Sequence, residues 1–365
     1  MTAGFVPPPY PYDRLSELQA VADGMAGGCV DLSIGTPCDP PPPQVVAALG
    51  QSGAERGYPA SIGTAAFREA AAGWVKRRLG VTIDADTETA ACIGTKELVA
   101  GLPQWLHLRT PDRDTVLYPA ISYPTYEMGA ILAGCRAVPY ERLDGISDAD
   151  AERALCLWVN VPGNPTGELS DLGACARWGR ARRVPVLSDE CYVEFTWEGP
   201  PRTILQHGTD GVLAVHSLSK RSNLAGVRAG FYAGDAELVQ YLREVRKHAG
   251  FMPPGPVQAA AAVAYGDDAH VDAQRERYRN RLERLRTILR DGLGVEAPMP
   301  SGAFYLWVSA PEGDAWALAA RLAKEAGALV SPGDFYGPLG ADHVRIAAVQ
   351  PDDRIELLAQ RLGVT

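Results

Sequence analysis

The stretch Val212-Leu213-Ala214-Val215-His216-Ser217-Leu218-Ser219-Lys220, with Arg228 eight residues beyond the lysine, decides how this chain folds. Its first five residues are apolar and β-prone, so Lys220 falls just past the end of a predicted buried strand. Open α/β sheets place ligands at that end of their strands. Ser217 can donate one hydrogen bond to a phosphate oxygen, and the Arg228 guanidinium can grip two. A lysine amine condenses with a carbonyl compound once its neighbours keep part of it deprotonated. Alone the pattern is unspecific, because Ser-x-x-Lys also occurs in serine acyl-transfer enzymes.

Working outward, apolar runs alternate with helical stretches. Strands are predicted at Ala90–Ile93, Thr115–Tyr118, Leu155–Val159, Val184–Leu187, Val212–His216 and Arg228–Ala233. Helices are predicted at Ala65–Arg78, Lys96–Leu106, Tyr126–Ala133, Leu172–Ala181 and Glu237–His248. That alternation implies a mostly parallel, doubly wound sheet. Residues 1–43, with Pro7-Pro8-Pro9 and the prolines from Pro40 to Pro43, read as an arm and part of a smaller domain. Residues 44–270 read as the large domain. Residues 271–365 read as a bridging helix, with Tyr278, Leu282, Leu285 and Leu289 on one face, followed by a small α+β domain. Its strands are predicted at Ala303–Val308 and Val344–Ala348, its helices at Ala315–Ala326 and Arg354–Leu362.

The 365 residues are 46% hydrophobic, enough for a large core and a second one. A formal net charge of −9 argues against nucleic acid or an anionic membrane as the main partner. No apolar run approaches the length of a membrane span. Seven cysteines without paired spacing fit a reducing cytoplasm better than a disulfide framework or a metal site.

Further strand ends carry candidate chemistry. Asp189, in Asp189-Glu190-Cys191-Tyr192, can pair a protonated ring nitrogen, and Tyr192 could reach a ring hydroxyl; a helix cap with a packed tyrosine is the plainer reading. Asn164, in Asn164-Pro165-Thr166-Gly167, presents a rigid amide, although Pro/Gly turns are ordinary. Gly94-Thr95-Lys96 opens a helix whose free N–H groups would face an anion. Tyr123 could lay its ring on a flat ligand. Arg345, in the apolar run His343-Val344-Arg345-Ile346-Ala347, must find a partner or face a cleft, and its fork suits a carboxylate.

The ordered set Gly94-Thr95-Lys96, Tyr123, Asn164-Pro165-x-Gly167, Asp189-x-x-Tyr192, Ser217-x-x-Lys220, Arg228 and Arg345 resembles the class I and II aminotransferases of pyridoxal phosphate fold type I. The resemblance implies a large domain with a mostly parallel seven-stranded sheet, which binds pyridoxal 5′-phosphate, plus a smaller α+β domain. It implies that Lys220 carries the cofactor and moves the proton, with Asp189 on the pyridine nitrogen, Asn164 and Tyr192 on the ring oxygen and Tyr123 stacked on the ring. Thr95, Lys96 through its backbone, Ser217 and Arg228 would bind the phosphate, with Gly94 allowing close approach. Tyr58 would reach the phosphate of the other subunit of a homodimer with shared active sites. Arg345 and Asn164 would take the substrate α-carboxylate, with Gly35 beside it.

Local runs such as Gly35-Thr36-Pro37-Cys38-Asp39-Pro40 are similar to the N-succinyldiaminopimelate aminotransferases of lysine biosynthesis. The implied reaction moves an amino group between N-succinyl-LL-2,6-diaminopimelate and 2-oxoglutarate in the cytoplasm. Aspartate-, aromatic- or alanine-type transfer, a pyridoxal phosphate carbon–sulfur lyase and a non-catalytic regulator are the alternatives. Arg221, Arg246 and Lys247 are candidates for a distal carboxylate, and the sequence does not rank them.

Overall fold

The computed structural model describes residues 4–365; the first three residues of the expected arm lie outside the described residues. Its strands are β1 (Val30–Asp31), β2 (Thr89–Cys92), β3 (Thr115–Pro119), β4 (Arg136–Tyr140), β5 (Ala154–Asn160), β6 (Val186–Asp189), β7 (Val212–Ser217), β8 (Gly230–Gly234), β9 (Tyr305–Ser309), β10 (Ala328–Leu329), β11 (Ser331–Pro332) and β12 (His343–Ala347). Seven of them form one sheet in the order β2-β8-β7-β6-β5-β3-β4. Every neighbouring pair is parallel except the two that involve β8. The fold is the α/β architecture expected, with a seven-stranded, mostly parallel sheet. Every residue of β5, β6 and β7 is buried, because helices cover both faces.

All six predicted sheet strands form, within two residues at each end. The seventh strand of this sheet, which sequence reading missed along with the two-residue strands β1, β10 and β11, is β4, Arg-Ala-Val-Pro-Tyr, whose internal Pro139 demotes it as a strand. A proline is tolerated there because β4 is the sheet edge. The helices Pro43–Gln51 and Gly255–Gly266 were also unexpected; both begin in proline-rich runs, where proline in the first turn is well accommodated.

Helix Leu172–Arg182 starts where the Asp171 carboxylate accepts the Ala174 N–H at 2.9 Å, and Asp235 caps Ala236–His248 through Leu238 in the same way. Such caps fix where each helix begins, and so where the preceding strand lets go of the chain.

A second core surrounds the antiparallel sheet β11-β12-β9 and the parallel pair β1-β10. Leu282, Leu285, Ile288 and Leu289 of the 25-residue helix Ala269–Leu293 pack into it, with helices Ala315–Ala326 and Asp352–Arg361. All four residues expected on the inner face of the long helix are buried. Between the two cores, Tyr192, Phe195, Tyr278, Phe304 and Tyr305 form an aromatic seam. The candidate site lies beside that seam.

Candidate active site

A cavity of about 430 Å³ opens at the C-terminal ends of β5, β6 and β7, and Tyr305 and Arg345 of the second core wall its other side. Lys220 lies within it, three residues past β7. Its Nζ donates to the backbone carbonyl of Gly35. Burial pushes the ammonium pKa down to about 8; Arg345 and Arg228 push the same way, while Cys191 and Asp189 oppose. A lysine so placed is partly neutral near pH 7, which a nucleophile or base requires.

Asp189 ends β6. Its carboxylate accepts the Tyr126 hydroxyl at 2.9 Å and the Cys191 N–H at 3.2 Å. Burial raises its pKa, against the opposing hydrogen bonds from Cys191 and Tyr126. No cationic side chain is hydrogen-bonded or ion-paired to this buried carboxylate among the described residues, so a protonated ring nitrogen would complete it.

A third corner gathers donors. Gly94 (φ 69°) leads into helix Thr95–Arg109, whose first N–H groups have no partner within the helix. A methyl group on Gly94 would overlap the Arg228 guanidinium, so glycine keeps that arginine close to the helix start. Arg228, itself left-handed at φ 59°, donates to the Ala225 carbonyl at 2.9 Å and lies 3.5 Å from the Ser219 hydroxyl. The Ser217 hydroxyl bonds Ser219 Oγ at 2.9 Å and caps the Ser219 N–H at 3.0 Å. Amides, two hydroxyls and a guanidinium on one corner suit a phosphate.

Arg345, on β12, lies between the rings of Tyr305 and Tyr336, 4.2 and 4.8 Å from their centroids. Its Nη1 donates to Asn164 Oδ1 at 2.7 Å, and its Nη2 to the Tyr12 hydroxyl at 3.1 Å and the Ser33 carbonyl. Its Nε is buried without a partner among the described residues, a donor left for a ligand. The Tyr192 hydroxyl pairs with that of Tyr305 at 2.9 Å.

The cavity therefore gathers Gly35, Thr95, Lys96, Tyr123, Asn164, Asp189, Tyr192, Ser217, Lys220, Arg228 and Arg345, with Gly94 directly behind the arginine. Tyr58 is not among them; its side chain is 99% exposed on the outer surface.

The three distal candidates are corrected. Arg221 is buried, ion-paired to Glu194 at 3.4 Å, and donates to the Ala264 carbonyl at 2.7 Å. Arg246 grips Glu97 through two hydrogen bonds of 2.6 and 3.0 Å. Lys247 is exposed in the last turn of helix Ala236–His248, away from the cavity. All three occupy the helical layers around the sheet, which their local sequence does not disclose. Sequence reading also missed Tyr10, Tyr12, Tyr126, Ser219 and Tyr305. Ser219 lay inside the quoted motif; the tyrosines carry no local signal separating them from core aromatics.

An anion-binding corner, a condensing amine and a buried carboxylate in one aromatic-walled cavity fit a flat, phosphorylated ring that bears a carbonyl group and a basic nitrogen. The family model for aminotransferase class I and II matches residues 28–362. The chain is 43% identical to a probable aminotransferase from Mycobacterium tuberculosis, over 97% of this chain and 85% of that protein. It is 42% identical to the 4-dedimethylamino-4-oxo-anhydrotetracycline transaminase of Streptomyces rimosus, over 97% and 99% of the two chains. The solved structure of a probable N-succinyldiaminopimelate aminotransferase from Thermus thermophilus superposes with a TM-score of 0.85 at 30% identity, over 96% of this chain and 98% of that one.

Proposed function

The chain belongs to the class I and II aminotransferases, whose cofactor is pyridoxal 5′-phosphate, and we propose that it transfers the amino group of a long amino acid with a remote anionic end to 2-oxoglutarate. N-succinyl-LL-2,6-diaminopimelate is the leading donor, which would place the enzyme in lysine and diaminopimelate biosynthesis in the cytoplasm. The observation that carries the reading is Arg345, supplied by the second core to the same cavity as the partly neutral Lys220 amine.

In this reading the N–H groups of Thr95 and Lys96, with Ser217, Ser219 and Arg228, hold the cofactor phosphate. Asp189 holds the ring nitrogen, with Tyr126 and the Cys191 amide fixing the carboxylate. Asn164 and Tyr192 would hold the ring oxygen, and Tyr123 would stack on the ring. Bound pyridoxal phosphate supplies an electron sink for the substrate's α-carbon. Lys220 takes the proton from that carbon and returns it on the other side of the transfer. Arg345 orients the carboxylate that donor and acceptor share, and its tyrosine sandwich excludes water from the pair.

For the distal end, Lys96 replaces the three corrected candidates. Its Nζ stands 5.0 Å from the Tyr10 ring centroid at the cavity mouth, and no acid pairs with it among the described residues. Burial works to lower its pKa, but Tyr123 and Tyr10 outweigh it, so the cation persists. The exposed Tyr58, with Phe5 and Val6 in the arm, supports a homodimer in which Tyr58 completes the partner's phosphate site. We also read residues 1–43, 44–270 and 271–365 as arm, large domain and small domain.

A second reading is favoured by the 42% identity to the Streptomyces transaminase over nearly its full length: the amino acceptor would be a ketone on a fused-ring system. One experiment separates them. Donors including N-succinyldiaminopimelate, aspartate, alanine and phenylalanine are run with 2-oxoglutarate, and glutamate is run with a polycyclic ketone. If the succinylated donor turns over no faster than the others, the first reading fails and the family assignment stands.

A further inference from the structure

The loop Ser33–Asp39 roofs the cavity and touches both ends of the proposed chemistry. Its Ser33 carbonyl accepts from Arg345 and its Gly35 carbonyl from Lys220. A tight turn inside the loop bonds the Thr36 N–H to the Ile34 carbonyl at 2.8 Å, and the Cys38 N–H reaches the Val349 carbonyl at 3.3 Å. The loop's far end is held by Asp39, whose two carboxylate oxygens take Arg281 Nη1 and Nη2 at 2.5 and 2.8 Å. Asp39 also accepts Gln274 Nε2 at 2.7 Å. The other end of that amide, Gln274 Oε1, accepts Asn223 Nδ2 at 3.2 Å and Arg277 Nη1 at 3.1 Å.

Asn223 stands three residues beyond Lys220 in a left-handed turn, φ 55°. Asparagine tolerates that conformation better than most side chains. Gln274 itself is 2% exposed. One buried amide therefore ties the roof of the cavity to the turn that carries the lysine, and the circuit closes through the Lys220–Gly35 contact.

We propose that Gln274 is a positioning residue: it sets the loop Ser33–Asp39 relative to the Lys220 turn and so holds Gly35 and Arg345 where a substrate carboxylate binds. The chemistry requires an amide. Only a group that donates at one end and accepts at the other can bridge the Asp39 carboxylate and the Asn223 amide. A carboxylate at 274 would face Asp39 with like charge. The charged and titratable groups around the bridge are Asp39 on the loop, Arg277, Tyr278 and Arg281 on the long helix, and Asp352 on the C-terminal helix, 2.6 Å from Arg281 Nε.

This inference rests on the reading of Arg345 as the carboxylate site, and the test keeps the two apart. The holoenzyme is titrated calorimetrically with glutarate, a dicarboxylate with no group to transfer, and KM and kcat are measured for donor and acceptor. Gln274→Met keeps length and removes all three hydrogen bonds. It is expected to weaken glutarate and raise both KM values about tenfold, with kcat changed by less than about threefold and the cofactor absorbance unmoved, as small misplacement of a binding group dictates. Gln274→Glu is expected to be at least as damaging.

Wild-type glutarate affinity in the two Gln274 variants overturns the proposal. Asn223→Gly keeps the left-handed turn and removes the amide; if it binds glutarate as the wild type does, the proposal falls even where the Gln274 variants fail to fold. If Arg345→Lys leaves glutarate untouched, the carboxylate site is misassigned. If it weakens glutarate and the Gln274 variants do not, only the coupling is wrong.

Discussion

In the proposed reading most of the chemistry turns on Lys220, and its surroundings set a measurable pH dependence. With the amine pKa pushed down from 10.5 to about 8, the neutral fraction grows about tenfold per pH unit up to that value and then levels off. The rate at which the cofactor-free protein captures pyridoxal phosphate, followed by absorbance, is expected to follow that curve. Capture that keeps rising to pH 10 would mean an unperturbed lysine. Lys220→Ala is expected to lose the covalent link and about 10²–10⁴-fold or more in turnover. Asp189→Ala is expected to lower kcat by about 10²-fold while much of the cofactor is retained through the phosphate corner, because a buried carboxylate acts most strongly where charge develops. Equilibrium dialysis beside single-turnover kinetics separates the two effects. Lys220, Asp189, Asn164 and Arg228 were legible because each stands at a strand end or in a turn with an unusual neighbour. Tyr12, Tyr126 and Tyr305 were not, because what distinguishes them is a partner 40 to 333 positions away: Tyr126 on Asp189, and Tyr12 and Tyr305 on Arg345.

At the scale of elements, the phosphate corner depends on how helix Thr95–Arg109 begins. Gly94 is there for two reasons, a positive φ and the Arg228 guanidinium against its α-carbon. Gly94→Ala meets both obstacles: about 1–2 kcal/mol of backbone strain and a displaced arginine. Cofactor affinity is expected to fall about tenfold or more while the substrate KM, measured at saturating cofactor, stays within about twofold. A spectroscopic titration with pyridoxal phosphate checks it, and unchanged affinity would remove this helix start from the phosphate site. The central strands were readable because they are continuous apolar runs. The edge strand Arg136–Tyr140 was not, since half-exposed residues and a proline erase that signal. The Ser33–Asp39 loop was visible only as a motif; its far end is held by long-range contacts to the helix Ala269–Leu293, and no local pattern encodes those.

For the molecule as a whole, the buried pair Glu190 and His216 governs how stability responds to acid. The two residues precede and follow nothing exposed: they lie next to Asp189 and Ser217 in adjacent strands, with Nε2 and Oε2 3.4 Å apart. Burial pushes Glu190 up from 4.5 to about 7 and His216 down from 6.5 to about 3. In the folded protein the pair therefore holds one proton from about pH 3 to about pH 7. Unfolded, it also holds one between 4.5 and 6.5, where the histidine is charged and the carboxylate ionised. Across that interval the pair contributes no slope. Below pH 4.5 the unfolded chain binds two protons against one, so stability falls as pH drops toward 3. Between about 6.5 and 7 the folded pair still holds a proton that the unfolded chain has released, so this pair's contribution falls again as pH rises. Salt-bridged carboxylates such as Asp39, whose pKa is lowered, add to the acid loss, so the pair's share must be read as a difference. Urea unfolding of the cofactor-free protein is expected to show a smaller decline from pH 5.5 to pH 4 in Glu190→Gln/His216→Leu than in the wild type. A variant that loses stability over that interval as steeply as the wild type would mean that the folded pair takes up its second proton as readily as the unfolded chain does, and the buried, singly protonated arrangement behind Asp189 and Ser217 would have to be abandoned.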